Sequence, residues 1–152
     1  MPDALAFESV TARFSLPLLF AAQAGKEVFH NEALVRIDAL LHGTIQGEAN
    51  DPPENAEDGQ CWLIGPLPTG AWVDRGGLIA MRQAGQWLFA GPVEGMRIFD
   101  RSSRQFAVFS GAWEKPADVP EPSGGKIVDS EARAAIGAVL LALRASGFLP
   151  SA

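Results

Sequence analysis

An α+β fold is what this 152-residue sequence predicts: an N-terminal arm and helix, a central antiparallel β-meander or small β-sandwich or barrel, and a C-terminal helix. Three observations carry the expectation. Apolar residues recur at three- and four-residue spacing towards each end. Between them, residues 60–114 form short runs of large apolar side chains separated by turn residues about every ten positions. Sixteen glycines and eleven prolines in a chain that is 47% hydrophobic suit a folded protein with many turns. The expected organisation is one compact module in three parts. These are an arm and helix over 1–45 for attachment or oligomerisation, a β-rich body over 60–114, and a C-terminal helix over 127–149.

The arm holds Phe7, Val10, Phe14, Leu16, Leu18, Leu19 and Phe20, with Pro17 biasing Leu16 away from helix. It is too short for a core of its own and must lie against the rest of the chain or a neighbouring subunit. Helix is expected from about Ala21 to His42. Leu34, Ile37 and Leu41 set its apolar stripe, Ala33 and Leu40 widen it, and Arg36 and Asp38 fall off it. Asn31 reads as the N-cap of a second helical segment, with Glu32 in its first turn. His42-Gly43 ends the element. Residues 46–59 are acidic and contain prolines, and they read as a solvated connector with nothing to pack.

Strand signals follow at Cys61–Ile64, Leu78–Arg82, Gln86–Ala90, Met96–Phe99 and Gln105–Phe109, with Ala112-Trp113 closing the series. Trp87/Phe89, Met96/Ile98 and Phe106/Val108 each place two large side chains on one face by alternation. After the Pro/Gly linker, Asp129 is the expected N-cap of the last helix. Glu131 falls in its first turn, Arg144 in its last, and its stripe is Ile136, Val139, Leu140 and Leu143. Gly147 ends it, Phe148 folds back on the last turn, and Pro150 forbids continuation.

The net charge of −6 argues against nucleic acid and against anionic membranes as partners. No run approaches the roughly 18 apolar residues of a membrane span. The N-terminus lacks the basic region of a signal peptide, so folding in the cytoplasm is expected. Cys61 stands alone, which excludes an intrachain disulfide, and its strand context makes it a buried thiol. No metal and no cofactor are expected. His30 and His42 lie twelve apart without an HExxH-like partner. Glu27 and Glu32 do not share a helical face. The β part offers Asp74, Glu94, Asp100 and Glu114 as the acids a glycosidase would need, without a visible pairing. A nucleophile elbow and a phosphate loop are both missing. No catalytic site emerges, and the sequence is not read as an enzyme.

Two groups of residues remain. Gln23, Lys26, Glu27, His30, Asn31 and Glu32 crowd the helix start, either as a solvated face or as a polar network fixing register at a subunit interface. Trp62, Trp72, Trp87 and Trp113 all fall in the β part, where Trp serves either to fill a core or to stack on sugar rings. Trp72, in Pro-Thr-Gly-Ala-Trp, is the ring expected at the surface. It joins Trp113 as a candidate glycan-binding residue.

Leu16-Pro17-Leu18-Leu19, the block Gln23 to Leu34, and Asp38-Ala39-Leu40-Leu41 together resemble a phage-related domain family. That family occurs in prophage tail-fibre-like proteins and in gene transfer agents, phage-like particles that package host DNA. The likeness runs on through Pro68-Thr69-Gly70-Ala71-Trp72, Gly85-Gln86-Trp87, Pro92-Val93-Glu94-Gly95 and Gly111-Ala112-Trp113 to Val128–Ile136. It covers nearly the whole chain. The sequence departs from the pattern at Gly25, where a second Gln is usual, and at Phe29, where Thr is commoner. The resemblance implies a virion component assembled in the bacterial cytoplasm, a head spike or tail fibre or the base that attaches one. The implied partners are itself, as a homotrimer with an Ile136, Val139 and Leu143 seam, and other virion proteins at a capsid vertex, spike or tail. The alternative is a carbohydrate-binding module that attaches to host capsule or cell-surface polysaccharide.

Overall fold

Helix α1 (Lys26–Leu40) leads into two very short strands, β1 (Thr44–Ile45) and β2 (Glu48–Ala49). Strands β3 (Cys61–Ile64), β4 (Ile79–Gln83), β5 (Gln86–Ala90), β6 (Arg97–Asp100), β7 (Gln105–Phe109) and β8 (Trp113–Glu114) follow, and helix α2 (Ser130–Ala145) closes the order. The computed structural model describes residues 10–19, 26–125 and 128–150. The class is α+β, as expected. The chain divides into two units at Pro92/Val93, inside the stretch that the sequence reads as a single β body.

In the first unit the sheet order is β2-β3-β4-β5. Strand β2 runs parallel to β3, with Glu48 opposite Leu63 and Ala49 opposite Ile64, and the other pairs are antiparallel. This corrects the solvated-connector reading of 46–59. Acidic side chains there stay in water while the backbone pairs inward: Gln46 N donates to Cys61 O, Leu63 N to Gly47 O, and Gly65 N to Ala49 O. Asn50 then folds against the next turn, accepting from Leu67 N at 3.1 Å. Its carboxamide presses on Gly65, where a Cβ would collide. Side-chain chemistry predicts solvation of such a segment, but hydrogen-bonding capacity of the backbone is independent of it.

The β4–β5 hairpin turns through Ala84-Gly85, both at positive φ, the geometry of a type I′ turn. Its register pairs Met81 with Leu88 and Gln83 with Gln86. Alternation then sorts the sheet into two faces. One carries Cys61, Leu63, Ile79, Met81 and Ala90, all buried. The other carries Ile64, Trp62, Ala80, Trp87 and Phe89, gathered around the fully buried Trp72.

The second unit holds the antiparallel run β6-β7-β8, with Ile98 opposite Ala107 and Phe109 opposite Trp113. Helix α2 starts as predicted: the Asp129 carboxylate accepts from Ala132 N at 2.9 Å. It ends as predicted too. Gly147 takes φ +77°, Phe148 N bonds back to Leu143 O, and the Phe148 ring lies 5.8 Å from that of Phe106. Gly147 O accepts from Phe106 N at 2.8 Å, which ties the helix end to β7. Among the described residues no helix is long and apolar enough to cross a membrane.

Candidate functional site

Asp38 is the organising residue of α1, and its position reverses the predicted helix orientation. Only 3% of it is exposed, while Ile37 and Leu41 are half exposed or more. The inward face is Val35, Asp38 and Ala39, not Leu34, Ile37 and Leu41. The cause is the arm. One Asp38 oxygen accepts from Thr11 Oγ1 at 2.6 Å and Phe14 N at 2.7 Å, and the other from Arg13 N at 2.9 Å. Arg13 also caps the end of α1, donating to the carbonyls of Asp38, Ala39 and His42. The carbonyls of Asp38 and Ala39 are among the orphan acceptors that any helix C-terminus must satisfy. A buried carboxylate with three donors is therefore compatible with the inward face that hydrophobic periodicity assigns to Leu and Ile.

Asn31 is not an N-cap, because α1 runs unbroken through it. Its carboxamide instead pairs with the arm backbone, accepting from Leu19 N at 2.8 Å and donating to Leu19 O at 2.9 Å. Glu32 accepts from Arg36 Nη2 at 2.7 Å along the helix surface. His30 is exposed. Gln23 lies outside the described residues, as do the side chains of Lys26 and Glu27 at the start of α1. Of the six polar candidates, the structure thus brings Asn31 to the arm, keeps Glu32 half-buried and leaves His30 outward.

Between the arm, α1 and the β4–β5 turn lies a cleft of about 340 Å³. Leu18, Val28, Val35 and Leu88 give it apolar walls, and Asn31, Glu32, Gln83 and Gln86 give it a polar rim. Phe29, one position from Val28, is 80% exposed. Phe29, Ala33 and Ile37 follow at four-residue spacing, and Leu41 continues the row just past the helix end, so α1 carries apolar side chains outward as well as inward. On α2, Leu140 is buried whereas Ile136, Val139 and Leu143 are exposed, together with Leu141. The row proposed for a seam is thus available on the isolated chain.

The tryptophans are distributed differently from the sequence reading. Trp72 is fully buried, which corrects its expected exposure. A single 3-10 turn, Gly70–Trp72, drops the indole into the aromatic layer of the first sheet, edge-on to Trp87 at 5.0 Å. Pro and Gly at a turn mark where the backbone bends, not which way the side chain falls. Its Nε1 has no hydrogen-bond partner among the described residues, so one desolvated donor offsets part of the packing gain. Trp62 and Trp87 stay partly exposed, and Arg82 lies 5.1 Å over the Trp87 ring while Arg75 lies 4.0 Å over Phe89. Trp113 is half-buried against Phe109 at 5.4 Å.

Of the four acids in the β part, Asp74, Glu94 and Glu114 are exposed and Asp100 is held in a structural network. Asp100 is fully buried at the β6–β7 turn, where it accepts from Ser102 N and Ser102 Oγ, each at 2.7 Å, and pairs with Lys115. Burial works against its ionisation, but the bonds from Lys115 and Ser102 outweigh it and hold the carboxyl down at about 2. Cys61 is buried, and that burial pushes its thiol up to about 11, with Arg13 opposing and Asp38 reinforcing the shift. Such a thiol is a poor nucleophile at neutral pH. Among the described residues, no group of three or more His, Cys, Asp or Glu side chains converges to hold a metal.

Residues 30–114 match the family described as "Protein of unknown function (DUF2793)", and the chain belongs to that family. The match begins within α1 and ends with β8, so it spans Asp38 and every strand but not the arm residues that bind Asp38. No curated protein matches the chain.

Proposed function

Starting from that family membership, we propose that the chain is a structural component of a phage-like particle, a gene transfer agent or prophage. Within it the chain serves as a head spike, a tail fibre or the base that attaches one. The observation that carries this reading is the apolar stripe of α2: Ile136, Val139 and Leu143 stand exposed beside Leu140, the one member of that stripe that is buried. Spacing of three and four residues suits an interhelical seam, and three copies closing around α2 would cover it. The likeness of Gln23–Leu34 and of Val128–Ile136 to phage-associated sequences points the same way. The test is proteomic and structural: particles purified from a strain that encodes the chain should contain it in fixed stoichiometry. Its deletion should remove a projection visible by electron microscopy. Particles of unchanged composition and shape would defeat the proposal.

A second reading, attachment to host polysaccharide, is favoured by Trp62 and Trp87, which stay partly exposed at the edge of the aromatic layer around Trp72. Trp72 drops out of it because its ring has no access to solvent. Binding to purified capsule should then weaken in Trp62→Ala and in Trp87→Ala. Equal binding by both variants would end this reading.

A further inference from the structure

We propose that the α1 side of the first unit is a second self-association site, in which Phe29 of one copy enters the cleft of another. This extends the assembly reading above to a surface that reading does not use.

A knob and a hole lie side by side here. Phe29 is the most exposed large apolar side chain described, at 80%. Val28, Asn31, Glu32 and Val35 recur at helical spacing along the cleft wall, so the hole opens about 100° round the helix from the knob. A cleft of about 340 Å³ with aliphatic walls accommodates a phenyl ring. Self-complementarity identifies the occupant. When knob and hole sit next to each other on one surface, a two-fold axis between them lets each copy fill the other's cleft, which is the defining property of an isologous contact. Between knob and hole round the circumference lie Glu32 and Arg36, already paired along the helix. Across a two-fold axis that pair presents an acid to a base and a base to an acid, so like copies meet without charge conflict.

The area argument sets the strength. A free Phe side chain offers roughly 200 Å², most of it available at Phe29, and Val28 on the cleft wall is more than half exposed. With the cleft walls, the pair buries on the order of 1,000 Å² in total, the low end for a specific contact. The pairing is therefore weak in free solution and is reinforced where α2 or a particle already holds copies together.

Two measurements on the full chain test this. Replacing Phe29 by p-benzoylphenylalanine and irradiating should give a species of twice the chain mass, with the adduct mapping to Gln83–Leu88 of the second copy. Adducts confined to one chain, or mapping elsewhere, would overturn the proposal. Sedimentation equilibrium then separates the two sites. Val139→Asp should leave a reversible dimer that Phe29→Asp in the same chain weakens at least about tenfold, since it places a charge in an apolar cleft. Residue 29 is too exposed for its replacement to unfold the protein. A Val139→Asp chain that stays monomeric at every concentration refutes the α1 contact while leaving the α2 seam standing.

Discussion

Asp38→Ala isolates the interaction that seats the arm on α1. It removes the acceptor for Thr11 Oγ1, Arg13 N and Phe14 N, at 2.6, 2.9 and 2.7 Å, and leaves the three Arg13 bonds to helix-end carbonyls in place. A hydrogen bond to a charged acceptor contributes about 1.5–3 kcal/mol. Three of them would sum to more than the real cost, because the variant no longer buries an ionised carboxylate. A net loss of about 3 kcal/mol is the expected balance, or a fall in Tm of roughly 6–12 °C for a chain this long. Urea denaturation followed by circular dichroism measures the global loss. Hydrogen exchange over residues 10–19 measures the local one, with Arg13 and Phe14 amides losing protection first. A variant within about 0.5 kcal/mol of the parent, with arm protection unchanged, would refute the view that Asp38 holds the arm.

Three further outcomes follow from the same structure. Trp72→Ala should cost about 3–5 kcal/mol in urea denaturation, because it empties the centre of the first unit's aromatic layer. Asp100 should add acid sensitivity. With its carboxyl lowered from 3.8 to about 2, the unfolded chain binds the proton first, so roughly 2 kcal/mol of stability is present above about pH 4 and is lost as pH falls towards 2. An Asp100→Asn protein should lack that step in a pH-dependent denaturation series. Gly147→Ala should destabilise by about 1–2 kcal/mol, since φ is +77° there and a Cβ would stand 3.0 Å from the Phe99 ring.

What the sequence could and could not reveal follows the physics of each element. Helix α2 was legible end to end, because Asp129, Gly147 and Pro150 act locally on the backbone whatever the rest of the chain does. The β4–β5 hairpin was legible for the same reason, through Ala84-Gly85. The orientation of α1 was not. Its apolar residues run all round, so periodicity could not choose a face, and the choice was made by Thr11, Arg13 and Phe14, some 25 positions away. Asp38 looked like a surface residue because nothing nearby in sequence announces its donors. Thr11 and Arg13, set among Val10, Phe14 and Leu16, were the available signal. Strand β2 was hidden because parallel pairing of two residues needs no alternation. Trp72 was misplaced since a turn predicts a bend and not a rotamer. The polar block before Leu34 was visible as a site, but its separate roles in seating the arm and edging a cleft depend on contacts that span the fold.

Self-assembly through exposed helix faces is the central claim, and molar mass decides it. Multi-angle light scattering on the full chain, across a concentration series from micromolar to millimolar, should show mass rising above the 16.1 kDa of one chain towards three times that value. Val139→Asp should bring that rise down. A steady 16.1 kDa at every concentration, unchanged by the substitution, would contradict the account.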